Sequence, residues 1–303
     1  MRMPQDSRGR HLLRGCGTAL VTPFTESGEL DEPALRGLID WQIGEGIHFL
    51  VPCGSTGEAA TMTPEEHRRV VEITVEQVDG RVPVAAGAGS NDTRKAVSLS
   101  KQMKTVGATH LLHTSPMYNK PPQRGIVAHF RAIADSVDLP LIVYNVPGRT
   151  GSNIEAETTL ELAGHENITA VKEASGNLAQ IAEIVRSRPD GFSVLSGDDG
   201  FTLAIMAEGG DGVISVTSNV VPRLASQMVE RFDAGDLAGA RETANRLAAW
   251  TSAAFIESNP IPAKAALAMM GRMKNVLRLP LVSLDERHDE AVRSAIRIAG
   301  ALE

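Results

Sequence analysis

The stretch Ile168-Thr169-Ala170-Val171-Lys172-Glu173-Ala174 reads as a buried β-strand with one lysine on its apolar face. Strand alternation puts Lys172 on the side of Ile168, Ala170 and Ala174. This run is one of eight that are rich in Val, Ile, Leu and Ala and alternate with longer amphipathic stretches: 17–24, 48–54, 82–89, 110–116, 139–147, 168–175, 192–199 and 211–219. The pattern predicts an α/β fold of parallel strands joined by crossover helices, the (β/α)8 TIM barrel.

Eight strand and helix units could also form a doubly wound open sheet. The barrel is favoured because no GxGxxG fingerprint follows the first strand. After the eighth run the chain stays helical, with breaks near 233–235 and 259–262. We therefore predict a barrel catalytic domain over 1–233 and a C-terminal helical region over 234–303. In a barrel of this kind the loops that follow the strands build the active site.

Composition excludes several classes of protein. The 303 residues carry a formal net charge of -7, which weighs against a nucleic-acid partner or an anionic membrane surface. No apolar run approaches the roughly 18 residues that span a bilayer, and the polar start, 1–10, lacks the apolar stretch of a secretory signal. These features predict a cytoplasmic protein with no membrane or nucleic-acid partner.

The sequence gives no sign of a disulfide framework or a metal site. The two cysteines, Cys16 and Cys53, lie in apolar runs and are expected to be buried free thiols. His110 and His113 are three residues apart in a strand and would point to opposite faces. We predict no metal.

Lys172 is the first candidate catalytic residue. A buried ammonium costs several kcal/mol unless it is paired, and burial lowers its pKa toward the neutral amine that attacks a ketone. An ion pair or a lysine whose head reaches solvent would be the structural alternative.

Tyr144 precedes Lys172 by one strand and helix repeat, so the two side chains are expected at similar heights on adjacent strands. There a phenol could move protons during imine chemistry, although a tyrosine that merely caps the core would look the same.

Two loops could bind a carboxylate. The segment Gly54-Ser55-Thr56-Gly57-Glu58 follows the second run and offers hydroxyls and free backbone N–H groups. The sequence Thr63-Pro64-Glu65-Glu66 is a helix start with a capping box, which predicts a loop over 54–62. Arg149, just past the fifth run, could clamp a carboxylate through two hydrogen bonds. A simple polar turn and a solvated arginine are the alternatives.

Taken together, these segments resemble the dihydrodipicolinate synthase and N-acetylneuraminate lyase superfamily, and within it the dihydrodipicolinate synthase branch. The similarity covers nearly the whole chain. It is carried by seven ordered blocks, at 19–24, 54–58, 115–121, 144–150, 171–176, 196–199 and 212–216.

The resemblance implies a class I lyase in which Lys172 forms a Schiff base with pyruvate. The enamine that results attacks the small anionic aldehyde aspartate 4-semialdehyde, in the pathway to diaminopimelate and lysine, with no metal or organic cofactor. The resemblance also implies roles for the remaining site residues. Tyr144, Ser55 and Tyr118 form a proton relay, and Arg149 binds the aldehyde's carboxylate. Ser55 and Thr56 hold the pyruvate carboxylate through backbone amides, near Gly197 and the carbonyl of Ile214.

Arg149 separates the branches of the superfamily, because the sialic-acid lyase pattern has leucine at this place. Another pyruvate aldolase, acting on N-acetylneuraminate, 4-hydroxy-2-oxoglutarate or a sugar acid, remains an alternative. A ligand-sensing barrel without turnover is a further one.

The resemblance also bears on assembly and on regulation. The residue that matches Tyr118 reaches into a neighbouring subunit in the family, which implies a homo-oligomer, a dimer or a tetramer. Met117, Pro64 and Lys95 stand where relatives that are inhibited by lysine carry an aromatic residue, a histidine and a glutamate. Weak or absent inhibition by lysine is expected.

Overall fold

The computed structural model describes Gln5, Gly9, Arg10 and residues 12–302, so most of the polar start discussed above lies outside the described residues. Eight strands run parallel in the order β2-β1-β8-β7-β6-β5-β4-β3. They are β1 (Gly15–Ala19), β2 (Phe49–Val51), β3 (Ala85–Gly87), β4 (His110–Thr114), β5 (Leu141–Asn145), β6 (Ile168–Glu173), β7 (Ser193–Ser196) and β8 (Gly212–Ser215). This alternation of strands and helices is the (β/α)8 arrangement that the sequence predicts.

Helices fill the intervals between the strands and continue after β8. They are α1 (Glu32–Gly44), α2 (Pro64–Val78), α3 (Thr93–Thr105), α4 (Gln123–Ser136), α5 (Pro147–Thr150), α6 (Ala156–Ala163), α7 (Leu178–Ser187), α8 (Thr202–Ala207), α9 (Pro222–Asp233), α10 (Leu237–Ala253), α11 (Ile261–Met269) and α12 (Asp289–Ile298). The predicted capping box of α2 is present: the Thr63 hydroxyl accepts from the N–H of Glu66, whose carboxylate accepts from the N–H of Thr63. Within residues 12–302, no helix combines the length and apolar character needed to cross a bilayer.

The strands are shorter than the predicted apolar runs. The first strand ends at Ala19 rather than at residue 24, because the N–H of Val21 donates to the side chain of Asn219 instead of to a neighbouring strand. The eighth ends at Ser215, because residues 217–219 form a 3-10 turn in which the Ser215 hydroxyl accepts from the N–H of Ser218. At both strand ends, polar side chains replace a neighbouring strand as the acceptors of backbone N–H groups.

The described residues form two compact units. The central unit consists of the described residues up to Gly15 together with 83–214, and the terminal unit consists of 16–82 and 215–302. β3 to β8 form the core of the central unit, with buried side chains such as Leu111, Val143 and Val171. The terminal unit buries Trp250, whose indole N–H donates to the carbonyl of Thr217 at 3.1 Å. The predicted boundary at residue 233 coincides with the end of α9, and the division into two domains there stays a prediction.

Candidate active site

Lys172 lies on β6 and is 5% exposed. The pairing of β5 with β6 sets Tyr144 directly opposite Lys172, and the Nζ atom lies 4.2 Å from the centre of the Tyr144 ring. The spacing of one strand and helix repeat had predicted these neighbouring positions. The structure therefore brings an amine and a phenol together on the apolar face of two central strands.

Burial changes the pKa of both groups. Desolvation lowers the pKa of Lys172 to about 7, against an opposing effect of Asp199, while the positive charge of Arg149 lowers it further. Desolvation raises the pKa of Tyr144 to about 12. At neutral pH a large fraction of the amine is therefore uncharged while the phenol keeps its proton. A nucleophile lies beside a proton donor, which is what attack on a ketone requires.

The absence of a side chain at Gly197 makes room for the lysine. A Cβ built at this glycine would lie 3.1 Å from Cε of Lys172 and 2.8 Å from Cβ of Ala174. The N–H of Gly197 donates to the carbonyl of Glu173 at 2.7 Å, which keeps the end of β7 close to β6. Ile214 lies in β8 of the same unit, and its side chain is buried.

Arg149 and Tyr118 lie in the connections that follow β5 and β4 of the central unit. Arg149 is exposed in the short helix α5, and its charge lowers the pKa of both Lys172 and Tyr144. Tyr118 is 90% exposed and has a left-handed backbone, with φ of 71°. Its N–H donates to the carbonyl of Thr150, the residue after Arg149, at 3.3 Å. The ring of Tyr118 is therefore exposed, on a backbone conformation that is uncommon for residues other than glycine.

Ser55 and Thr56 lie in the terminal unit, within a 3-10 turn at Ser55–Gly57. Ser55 is exposed and Thr56 is buried. The side-chain amide of Asn259 donates to the Thr56 hydroxyl oxygen at 2.8 Å, and the Thr22 hydroxyl donates to the carbonyl of Gly57 at 2.8 Å. The predicted loop is therefore a structured turn held by side chains from elsewhere in its unit.

A buried ion pair supports the same turn and was not predicted from the sequence. Glu58 has a left-handed backbone, with φ of 57°, and its carboxylate accepts from Nζ of Lys264 at 2.6 Å. Both side chains are fully buried. The lysine also donates to the carbonyl of Thr22 and lies 4.3 Å from the centre of the Phe24 ring. The only hint in the sequence is a lysine inside the apolar run of α11.

Asp198 and Asp199 were likewise not singled out from the sequence. Both follow β7 and are half-buried, and burial raises the pKa of Asp198. The negative charge of Asp199 raises the pKa of Lys172, and that of Asp198 raises the pKa of Tyr144. These carboxylates set the charge around the amine and the phenol.

The cysteines are buried free thiols, as predicted. His113 is fully buried and shares a hydrogen bond of 3.1 Å with Ser100. Among the described residues, no three His, Cys, Asp or Glu side chains come together as metal ligands.

The chain is similar to known proteins over nearly its full length. The model of the dihydrodipicolinate synthetase family matches residues 12–299. A protein of Koribacter versatilis named 4-hydroxy-tetrahydrodipicolinate synthase is 50% identical over 291 residues, which are 96% of this chain and 97% of its own length.

Solved structures agree with this assignment. The dihydrodipicolinate synthase of Thermotoga maritima is 42% identical, with a TM-score of 0.95 over 96% of this chain and 100% of its own. That of Acinetobacter baumannii, solved in complex with pyruvate, is 39% identical, with a TM-score of 0.94 over 95% and 99%. These similarities confirm the barrel fold and the enzyme class that the sequence predicts. The chain belongs to the dihydrodipicolinate synthetase family.

Proposed function

We propose that this protein condenses pyruvate with L-aspartate 4-semialdehyde through a Schiff base on Lys172, as a 4-hydroxy-tetrahydrodipicolinate synthase in the diaminopimelate route to lysine. The observation that carries the proposal is the buried amine of Lys172, with a pKa of about 7, opposite the protonated phenol of Tyr144. Neither a structural lysine nor a ligand sensor requires this pairing.

The reaction begins when the neutral Nζ attacks the ketone carbon of pyruvate. Water leaves as the imine forms, and loss of a proton from the methyl carbon gives an enamine. That carbon attacks the aldehyde of the second substrate. The amino group of the semialdehyde then attacks the imine carbon, which closes the ring and displaces the amine of Lys172. The phenol of Tyr144 moves protons in these steps, and we assign Ser55 and Tyr118 to the same relay. The reaction needs no metal or organic cofactor, because the protonated imine formed on Lys172 acts as the electron sink when the methyl carbon loses its proton.

Substrate carboxylates are assigned to separate groups. The backbone amides of Ser55 and Thr56 hold the pyruvate carboxylate, in a turn that Asn259 and Thr22 keep in shape. Gly197 and the carbonyl of Ile214 border the bound pyruvate. Arg149 binds the carboxylate of the semialdehyde, since a guanidinium favours an anionic aldehyde over a neutral sugar.

We assign Tyr118 to the site of a second copy of the chain, which makes the protein a homo-oligomer, a dimer or a tetramer. Its 90% exposure supports this assignment. A cytoplasmic location completes the proposal.

Borohydride reduction in the presence of pyruvate tests the chemistry. Peptide mapping is expected to find the reduced adduct on Lys172. Parallel assays should then show pyruvate-dependent turnover of aspartate semialdehyde and none of N-acetylmannosamine. An adduct with turnover of the sugar alone would favour the sialic-acid aldolase. Finding no adduct would favour a ligand-sensing barrel.

Arg149→Leu is expected to raise the KM for aspartate semialdehyde by about 10- to 100-fold, because a lost charged hydrogen-bonding group corresponds to about 1.5–3 kcal/mol. The KM for pyruvate should stay within about twofold of the parent value, because the contact that is lost binds the semialdehyde and not pyruvate. Arg124→Leu, at an exposed position of α4, is the control. Equal increases in both KM values would contradict the assignment of Arg149.

Lysine is expected to inhibit weakly or not at all. Lys95 is exposed on α3, where its charge would repel the ammonium of a bound lysine. Inhibition should be weak or absent in a titration to millimolar lysine and should strengthen in Lys95→Glu. Inhibition of the parent protein at micromolar lysine would refute this prediction.

A further inference from the structure

Behind the catalytic pair, on the opposite face of β5 and β6, lies a second pair of facing residues. Asn145 and Glu173 are the next partners in the strand register after Tyr144 and Lys172. Side chains alternate along a strand, so this pair points away from the amine and the phenol. Both side chains are fully buried.

The Glu173 carboxylate is surrounded by N–H donors. The backbone N–H of Ser175 donates to Oε1 at 2.7 Å, the side-chain amide of Asn145 to both oxygens at 3.1 and 3.2 Å, and that of Gln180 to Oε2 at 3.2 Å. Within the described part of the chain, no Lys, Arg or His forms an ion pair with Glu173. Burial raises the pKa of Glu173, whereas these hydrogen bonds oppose that increase. A carboxylate can accept at both oxygens, whereas a glutamine at this position would present an NH2 group to one side of this cluster of donors.

Asn145 extends this arrangement to the loop that carries Arg149. Its Oδ1 accepts from the N–H of Ile154 at 3.0 Å, and its Nδ2 donates to the carbonyl of Ile154 at 3.2 Å. The amide of Asn145 therefore joins the two ends of the segment 146–153. Asn153 joins the cluster as well, because its amide donates to Gln180 at 2.8 Å and its Oδ1 accepts from Asn145 at 2.8 Å.

We propose that Glu173 is a positioning residue, whose carboxylate fixes the register of Lys172 against Tyr144 and, through Asn145, the placement of Arg149. The inference rests on the proposed function, since that function assigns these three groups to the reaction. Glu173 touches no substrate and acts through the backbone of β5 and β6. A displacement of the reacting groups by about 1 Å can cost on the order of 100-fold in rate, so the accuracy of this register matters.

Glu173→Gln is the decisive substitution because glutamine has the same shape. Its NH2 group would face other N–H donors. The substitution should therefore reduce activity if Glu173 matters as a hydrogen-bond acceptor, and should leave activity unchanged if Glu173 matters only for packing. We expect kcat to fall by about 10- to 100-fold and the KM for aspartate semialdehyde to rise by about 10-fold. The KM for pyruvate should stay within about twofold, because the turn assigned to its carboxylate makes none of these contacts.

Two further variants separate positioning from a general loss of stability. Ile184→Ala, in the buried face of the same helix as Gln180, is expected to lower the melting temperature and leave kcat and both KM values unchanged. Gln180→Leu removes one donor and should lower kcat by about three- to tenfold. It decides the question if Glu173→Gln does not fold.

Failure of this inference differs from failure of the proposed function. If the parent protein forms no borohydride adduct with pyruvate, the proposed function and the inference both fall. If the parent forms the adduct while Glu173→Gln or Gln180→Leu keeps parental kcat and KM values, only the positioning role is overturned. A fall in activity that Ile184→Ala reproduces at equal stability would also overturn it.

Discussion

Lys172→Met is expected to abolish the reduced pyruvate adduct and to slow condensation by on the order of 10⁴-fold or more. Methionine keeps most of the length of the buried stem but has no amine, so no imine can form. Tyr144 and Arg149 remain in place, and the binding of free pyruvate should survive. Steady-state assays and mass mapping after borohydride measure both effects. Turnover comparable to the parent would refute the Schiff-base mechanism.

The same substitution is expected to stabilise the fold at neutral and acidic pH. The pKa of Lys172 is about 7 when folded and near 10.5 when exposed, so the unfolded chain binds this proton more tightly. Burial of the lysine therefore destabilises the parent fully below pH 7, by several kcal/mol at about 1.4 kcal/mol per pKa unit, and less as the pH rises to 10.5.

A urea titration at several pH values checks this expectation. The free energy of unfolding of Lys172→Met should exceed that of the parent at pH 6, and the difference should shrink between pH 7 and 10.5. Lys101→Met, at an exposed position of α3, is the matched control and should show no such trend. A constant difference across the pH range would mean that the amine is not desolvated.

The spacing of apolar runs was enough to predict the eight parallel strands of the barrel and the neighbouring positions of Tyr144 and Lys172. A period of one strand and one helix determines which residues reach equal heights on neighbouring strands. It does not determine where a strand ends. The first strand stops at Ala19 because Asn219, some 200 residues later, supplies the next acceptor, and no local pattern announces such a partner.

Polar residues that support the site were harder to predict than those that carry chemistry. Glu173 was not singled out from the sequence, yet it is buried and accepts hydrogen bonds from Asn145 on the neighbouring strand and from Ser175 and Gln180 further along its own segment. Lys264 and Glu58 are 206 positions apart, and a lysine in a helix is usually solvated. Such long-range pairs depend on the assembled fold, which the sequence of either segment does not reveal.

Lys264→Met is expected to lower the free energy of unfolding by about 3–5 kcal/mol, because it leaves the Glu58 carboxylate buried without its cation. In the parent, Glu58 Oε1 accepts from Lys264 at 2.6 Å, and Oε2 accepts from the backbone N–H of Arg278 at 3.2 Å. Only the second contact survives. The carbonyl of Thr22 also loses its donor. Urea titration measures the loss, and Lys274→Met, whose partner Glu26 is exposed, should change stability by less than about 1 kcal/mol.

Addition of Glu58→Gln to Lys264→Met is expected to restore most of the lost stability, although it removes a second ionised group. The free energy that a single substitution costs comes from an unpaired buried charge, since desolvation nearly cancels the attraction within the intact pair. The double variant has no such charge and keeps a side chain that can accept from Arg278 at the same left-handed position. The two single substitutions should therefore be strongly non-additive. If the double variant were as unstable as the sum of the two, packing of the lysine stem against Phe24 would explain the loss, and the buried charge would not.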